Sequence, residues 1–207
     1  MNKKVSLPDF TIEKKLLNKN YKNIAGIDEV GRGTLAGPVV ACAAILPNAV
    51  PSIKKNLVND SKKLTVKKRI ESYEWLKTWC LDYAIGSSSP KEIDTYGIIY
   101  SVKQAMIRAV NNLSIKPDYL IIDALKLENL DIDQTSIIKA DEKSESVASA
   151  SILAKVSRDN IMIKLHEEYS AYDFISNKGY GTKKHLIALK EYGPTEIHRK
   201  TFARVSD

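Results

Sequence analysis

A chain of 207 residues with 43% hydrophobic and 28% charged side chains has the size and make-up of one globular domain, which excludes a disordered, fibrous or collagen-like polypeptide. Thirty-two Lys and Arg against 25 Asp and Glu leave a net charge of +7, a field that attracts polyanions but that many lysine-rich chains without a nucleic-acid partner also carry. The two cysteines, Cys42 and Cys80, lie far apart in apolar contexts, which excludes a disulfide scaffold or a CxxC zinc site and predicts reduced, buried thiols.

From Met1 to Phe10 the chain is positively charged without a sustained apolar run, and no later segment is long and apolar enough to span a bilayer. A soluble cytoplasmic protein is expected. Residues 23 to 28 read as a short buried strand ending on Asp28, and Pro38 to Leu46 as a second, continuously apolar one. Val66, Ile70, Tyr73, Leu76 and Cys80 recur at helical steps behind Thr65, which suits an N-cap. Trp75 and Trp79, one turn apart in that helix, are expected to pack against the core. A third strand falls near Leu81 to Ser87, ahead of the breaker Ser87-Ser88-Ser89-Pro90. Ile99, Val102, Met106, Ala109 and Leu113 predict a second helix, with Thr95 as its N-cap. Tyr119 to Asp123 is a fourth strand, again closed by a carboxylate. A long helix from about Ser146 to Tyr169 and a shorter one from Lys183 to Tyr192, stopped by Gly193-Pro194, complete the pattern, and the basic stretch from Thr195 to Asp207 packs or drapes on the surface. The order of elements predicts an α/β fold with a mixed sheet.

Asp28, Glu29, Asp123 and Asp141 are the candidate catalytic and metal-binding residues. Asp28 and Asp123 close apolar runs, and the ends of neighbouring strands converge at one edge of a sheet. Asp141 follows Ile137-Ile138-Lys139-Ala140 and precedes the long helix, within reach of the same edge. Four acidic groups brought together repel one another, and divalent cations remove that cost. An all-oxygen set suits Mg²⁺ or Mn²⁺, and two such ions about 4 Å apart activate a water and stabilise the departing oxygen in phosphodiester hydrolysis. Taken singly, Asp28 and Asp141 read equally as caps and Glu29 as an exposed charge.

Gly31-Arg32-Gly33-Thr34-Leu35-Ala36 follows the first strand and matches the dinucleotide fingerprint GxGxxG/A. That reading needs a helix beginning at the glycines, whereas Gly37-Pro38 and a β-branched run follow, and Asp28 and Glu29 would repel a pyrophosphate. A turn whose backbone approaches a ligand closely, with Arg32 supplying charge for phosphate, accounts for it better; a plain tight turn with Arg32 in solvent is the alternative.

These segments resemble the type 2 ribonucleases H, bacterial ribonuclease HII in particular. Residues 26 to 39 follow that family's first motif, and further matches are Asn59-Asp60-Ser61-Lys62-Lys63-Leu64, Ile122-Asp123, Ala148 to Asp159, Lys178-Gly179-Tyr180-Gly181-Thr182, and Tyr192-Gly193-Pro194 with His198-Arg199. The resemblance runs in order from about residue 22 to 205. It implies an RNase H-like fold over a single domain, 1–207, with a mixed central sheet flanked by helices and a short helical, substrate-contacting extension from about 170 to 207. It also implies a two-metal site of Asp28, Glu29, Asp123 and Asp141 holding Mn²⁺ or Mg²⁺. The activity implied is endonucleolytic cleavage of the RNA strand in RNA-DNA hybrids and incision 5′ of a single ribonucleotide in duplex DNA, giving 3′-hydroxyl and 5′-phosphate ends. Gly31, Arg32 and Gly33 would then contact the 2′-OH and the neighbouring phosphate, and Tyr180 would pack against the nucleotide at the junction. This chain departs from the family at Thr34, commonly proline there, and at Ala124 and Ala140, positions usually held by glycine.

Lys62 and Lys63 are candidates for phosphates of the DNA strand, and Lys155 and Arg158 for lining the same groove, with a solvated helix face as the alternative. His166, His185 and His198 show no ligand spacing. A monomer acting on hybrid or ribonucleotide-containing duplex is expected; a non-catalytic nucleic-acid-binding domain is the competing function, and a dinucleotide-binding oxidoreductase a remote one.

Overall fold

Three apolar runs form the centre of a five-stranded sheet in the computed structural model, which describes residues 7–206. Residues 1–6 of the charged N-terminal stretch and the final Asp207 lie outside the described residues. The strands β1 (Ile24–Val30), β2 (Val39–Ile45), β3 (Asp82–Ser88), β4 (Tyr119–Asp123) and β5 (Asp133–Ile137) lie in the order β3-β2-β1-β4-β5. β1 pairs antiparallel with β2, and β2 with β3, while β4 runs parallel to β1 and to β5, so the sheet is mixed as expected. β2 is buried along its whole length, which is why it reads as a continuous apolar run. β5, Asp133-Gln134-Thr135-Ser136-Ile137, is a polar edge strand without such a run, and the sequence reading passed over it.

Among the described residues seven α-helices precede, join or follow these strands: α1 (Thr11–Leu17), α2 (Val66–Trp79), α3 (Pro90–Tyr96), α4 (Ile98–Asn111), α5 (Glu145–Glu168), α6 (Phe174–Asn177) and α7 (Lys183–Tyr192). On one face of the sheet Val39, Ala41, Ala43 and Ile45 pack against Val102, Ala105, Met106 and Ala109 of α4. On the other, Cys42 and Ala44 meet Leu76 of α2 and Ala148, Ile152 and Leu153 of α5. The opening of α5 is built from Ser and Ala and lies directly on β1: a Cβ on Gly26 would overlap the backbone of Ser146 and Val147. This close approach fixes the helix over the strand that carries Asp28 and Glu29. Cys42 is buried and free, Cys80 partly buried and free, and Trp75 and Trp79 stack on each other against the second core.

Several boundaries differ from the sequence reading. β1 continues two residues past Asp28, so Asp28 and Glu29 lie inside it; on the side of β4, which stops at Asp123, they nonetheless stand at the end of the sheet. Thr65 caps α2 as expected, accepting from the Lys68 amide. Thr95 is no cap: it lies within α3, its hydroxyl bonded to the Lys91 carbonyl, and Gly97 precedes α4. The Ser-Pro breaker is a helix start, because Ser89 and Glu92 form a capping box with Pro90 at the first helical position. After α5 the chain forms a third core, in which Leu35 and Ala36 join Met162, Tyr172, Phe174, Leu189 and Val205. The C-terminal segment is thereby packed under the Gly31–Gly37 loop.

Candidate active site

Asp28 and Asp123 come together because β1 and β4 are parallel neighbours in a register that pairs Ile27 with Ile122, so the next residue of each strand is an aspartate. Asp28 is buried, and a Ser151 hydroxyl from α5 bonds to it; Ser151 also bonds Ser61 at 3.0 Å. Asp123 accepts a 2.8 Å hydrogen bond from the Ala140 amide, which draws the backbone just before Asp141 to the end of β4. Asp141, buried in a short 3₁₀ turn after left-handed Lys139, completes the approach. Ala124 has φ +56°, a region that costs a non-glycine residue about 1–2 kcal/mol.

The electrostatics show how close these groups are. Burial, then the neighbouring Glu29 charge, pushes the Asp28 carboxyl well above the usual range. Glu29 is pushed up to about 7 by burial and then by Asp123, with Arg32, 3.8 Å away, pulling the other way. Asp141 is raised by burial, then by Asp60 and Asp123. One Glu29 oxygen, Oε2, is buried with no hydrogen-bond partner. An all-oxygen set with raised carboxyls and an orphaned oxygen is chemically suited to hard cations such as Mg²⁺ or Mn²⁺. Among the described residues no three His, Cys, Asp or Glu side chains are already arranged to hold an ion.

Lys62 lies among these carboxylates: burial pulls its ammonium down, but Asp28, Asp60 and Asp141 outweigh that, and it titrates above an ordinary lysine. Asp60, in the Asn59–Leu64 segment, is therefore a neighbour of the site that no apolar run or strand end marks in the sequence. Lys63 faces Glu142 at 3.1 Å and Asp60 at 3.8 Å. Lys155 pairs with Asp159 at 2.7 Å, stands 5.9 Å from the centre of the Tyr180 ring, and lines a cleft of about 310 Å³ between α2 and α5 together with Arg69 and Lys178. Tyr180 itself is 41% exposed.

The glycine turn runs straight into β2 with no helix, which removes the dinucleotide reading. Gly31 has φ +91° and sits against the Arg158 side chain, leaving no room for a Cβ. Gly33 has open space around it. The Thr34 hydroxyl donates to the Gly31 carbonyl at 3.0 Å and accepts from Arg158 at 2.9 Å, and so ties the turn together.

Arg158 does not line a groove, nor does it lie on a solvated face. It is fully buried, and its guanidinium donates to the carbonyls of Pro38, Ala36 and Lys178 as well as to Thr34. The backbone demanded donors, and the helix turned Arg158 inward to supply them. A second buried arginine does the same from the C-terminal segment: Arg199 donates to the carbonyls of Arg32 and Gly37. Burial pulls both guanidiniums down, Arg199 also through the Arg158 charge, yet each stays a cation at neutral pH. The Gly179 carbonyl accepts from the Leu35 and Ala36 amides, so the Tyr180 loop and the glycine turn form one rigid wall of the site.

Carboxylates gathered at the end of a mixed sheet, beside a rigid turn with open space at Gly33, place the molecule among nucleases of RNase H-like fold. A sequence model described as ribonuclease HII matches residues 25–206, and the chain belongs to the ribonuclease HII family. It is 51% identical over 195 residues to a ribonuclease HII of Desulfitobacterium hafniense, covering 93% of this chain and 73% of that protein. With a ribonuclease HII of Bacillus subtilis it shares 52% over 188 residues, covering 91% and 72%. The crystal structure of ribonuclease H2 from Pyrococcus horikoshii superposes with a TM-score of 0.72 at 29% identity, over 89% of this chain and 96% of that one. Among the described residues no helix is long and apolar enough to cross a membrane.

Proposed function

We propose that this chain is an endoribonuclease that hydrolyses the RNA strand of RNA-DNA hybrids and incises 5′ of single ribonucleotides in duplex DNA, leaving 3′-hydroxyl and 5′-phosphate ends. The observation that carries the reading is the adjacent, register-matched pair Asp28 and Asp123 with Glu29 and Asp141 drawn in, Asp28 and Asp141 buried and one Glu29 oxygen without a partner, beside the Gly31–Gly33 turn. Asp28, Glu29, Asp123 and Asp141 are the residues to hold two divalent ions, Mn²⁺ or Mg²⁺. When bound, such ions supply an activated water and charge for the leaving oxygen.

The chain's own residues do the selecting. Backbone groups of Gly31 to Gly33 both donate and accept, as a 2′-OH requires, and Gly33 leaves space for the ribose to come close. Arg32, with its side chain about half exposed, faces the phosphate, and Lys62, and more weakly Lys63 and Lys155, offset backbone charge. Tyr180 presents its ring to the sugar that follows. Residues from about 170 onward act as the substrate-contacting extension, and the protein works as a monomer.

The test is cleavage of an RNA-DNA hybrid with and without Mg²⁺ or Mn²⁺ by the wild type and by Asp28→Asn and Asp123→Asn. Ion-dependent cutting that both substitutions abolish is expected. Saturating hybrid binding with no cleavage under any ion would leave only a binding domain.

A further inference from the structure

His185 and His198 are buried, and the proposed chemistry leaves them unused. Their Nε2 atoms face each other at 3.0 Å. The two ends of this pair are backbone groups of fixed polarity. The Thr195 amide can only donate, and it meets His198 Nδ1 at 3.0 Å. The Tyr180 carbonyl can only accept, and it meets His185 Nδ1 at 2.9 Å. The tautomers follow: His198 carries its proton on Nε2 and gives it to His185 Nε2, and His185 carries its own on Nδ1 and gives it to Tyr180. A further proton on either ring would set two N–H groups head to head.

We propose that His185 and His198 are positioning residues for Tyr180, a directional hydrogen-bond chain that locks its backbone relative to the glycine turn. The chain starts on a segment that is itself bonded to that turn, since Ala36 bridges His198, Gly37 donates to the Ile197 carbonyl and Arg199 donates to the Leu35 carbonyl. It ends on the residue whose ring faces the substrate, where the Tyr180 carbonyl also accepts from Thr182. Tyr172 and Phe174 wall the pair with aromatic rings, Glu196 stands beside His198 as an attracting charge, and the adjacent Arg199 points its guanidinium away to Gly37 and Arg32. In those surroundings burial pulls both imidazoles down, His198 to about 4 with His185 as the second cause, so both stay neutral at physiological pH.

This inference rests on the reading of Tyr180 as a substrate contact, and the experiment separates the two. Cleavage of a duplex with one embedded ribonucleotide is compared with cleavage of a hybrid, as the ratio of kcat/KM, for Tyr180→Ala, His185→Leu, His185→Asn and the double variant. The ratio is expected to fall about 3- to 10-fold in His185→Leu, the worth of one hydrogen bond. It should recover in His185→Asn, whose amide can donate to the Tyr180 carbonyl, and His185→Leu should add nothing in the Tyr180→Ala background. If Tyr180→Ala lowers the ratio and His185→Leu does not, or if the two losses multiply, the positioning role is wrong while Tyr180 stands. If Tyr180→Ala leaves the ratio unchanged, the reading of Tyr180 fails and takes the inference with it. Should His185→Leu not fold, His198→Asn, which keeps an acceptor for Thr195 but cannot reach His185, is expected to lower the ratio in its place, and an unchanged ratio there overturns the proposal.

Discussion

Two neighbouring regions of the fold treat buried polar groups in opposite ways. Around the glycine turn, Arg158, Arg199, His185 and His198 spend their donors on carbonyls, a hydroxyl and each other. At the end of β1 and β4, like charges gather with one Glu29 oxygen unpartnered and carboxyls raised by burial and mutual repulsion. The first region satisfies its buried donors within the chain; the second keeps its acidic groups close together against their mutual repulsion.

Breaking the wall has the largest expected effect on folding. Arg199→Ala or Arg158→Ala leaves several buried carbonyls without donors, a loss of about 3–5 kcal/mol measurable by urea unfolding. Arg158→Lys should recover little, since one ammonium cannot reach four acceptors. A loss under about 1 kcal/mol for either alanine variant would mean that solvent or neighbours replace the guanidinium and that the wall is not rigid on its account.

Substitution in the carboxylate cluster should act in the other direction. The ion-free Asp28→Asn protein is expected to be as stable as the wild type or more so, by about 1 kcal/mol, because a buried repelling charge is gone. Thermal unfolding in a chelator checks this, and clear destabilisation would show that the hydrogen bonds Asp28 accepts from Ser151 and the Glu29 amide outweigh the repulsion.

The two regions also titrate in opposite senses. Glu29, raised to about 7, binds its proton more tightly folded than unfolded, so its contribution to ion-free stability falls as pH rises from about 4.5 through 7. His198, lowered to about 4, binds its proton less tightly folded than unfolded, so its contribution is full above about 6.5 and falls as pH drops toward 4. Adding Mn²⁺ at 100 times its dissociation constant should stabilise by about 2.7 kcal/mol, and a given concentration should achieve more at pH 8 than at pH 6, where the ion must displace a proton. An ion effect that is flat with pH would separate Glu29 from the ion.

The smallest effect is expected at Ala124. Ala124→Gly removes the strain of φ +56° but adds unfolded-state freedom, a net gain of up to about 1 kcal/mol by urea unfolding. Destabilisation would mean that its methyl packs usefully at the end of β4.

Much of this contrast could be read from the chain. Buried strands announce themselves as apolar runs, so β1, β2 and β4, and with them Asp28, Glu29 and Asp123, were legible. β5 was not, because a polar edge strand has no such run. α3 was missed because Ser89-Pro90 serves equally as a break and as a cap with its first turn. Arg158 was misjudged from its neighbour Asp159, although Ala150, Ala154, Arg158 and Met162 form a line at four-residue steps that the helix buries. That line was a signal available in the sequence. The pairing of His185 with His198 and the grip of Arg199 on Arg32 were not, since each depends on a partner that only the folded C-terminal segment supplies.

The most direct measurement is end mapping of a DNA duplex carrying one ribonucleotide, cut by the wild type in Mg²⁺ or Mn²⁺. A single incision on the 5′ side of the ribonucleotide is expected, with 3′-hydroxyl and 5′-phosphate ends, and no cutting of the all-DNA duplex. Incision on the 3′ side, equal cutting of all-DNA duplex, or cutting undiminished in a chelator would contradict the proposed function.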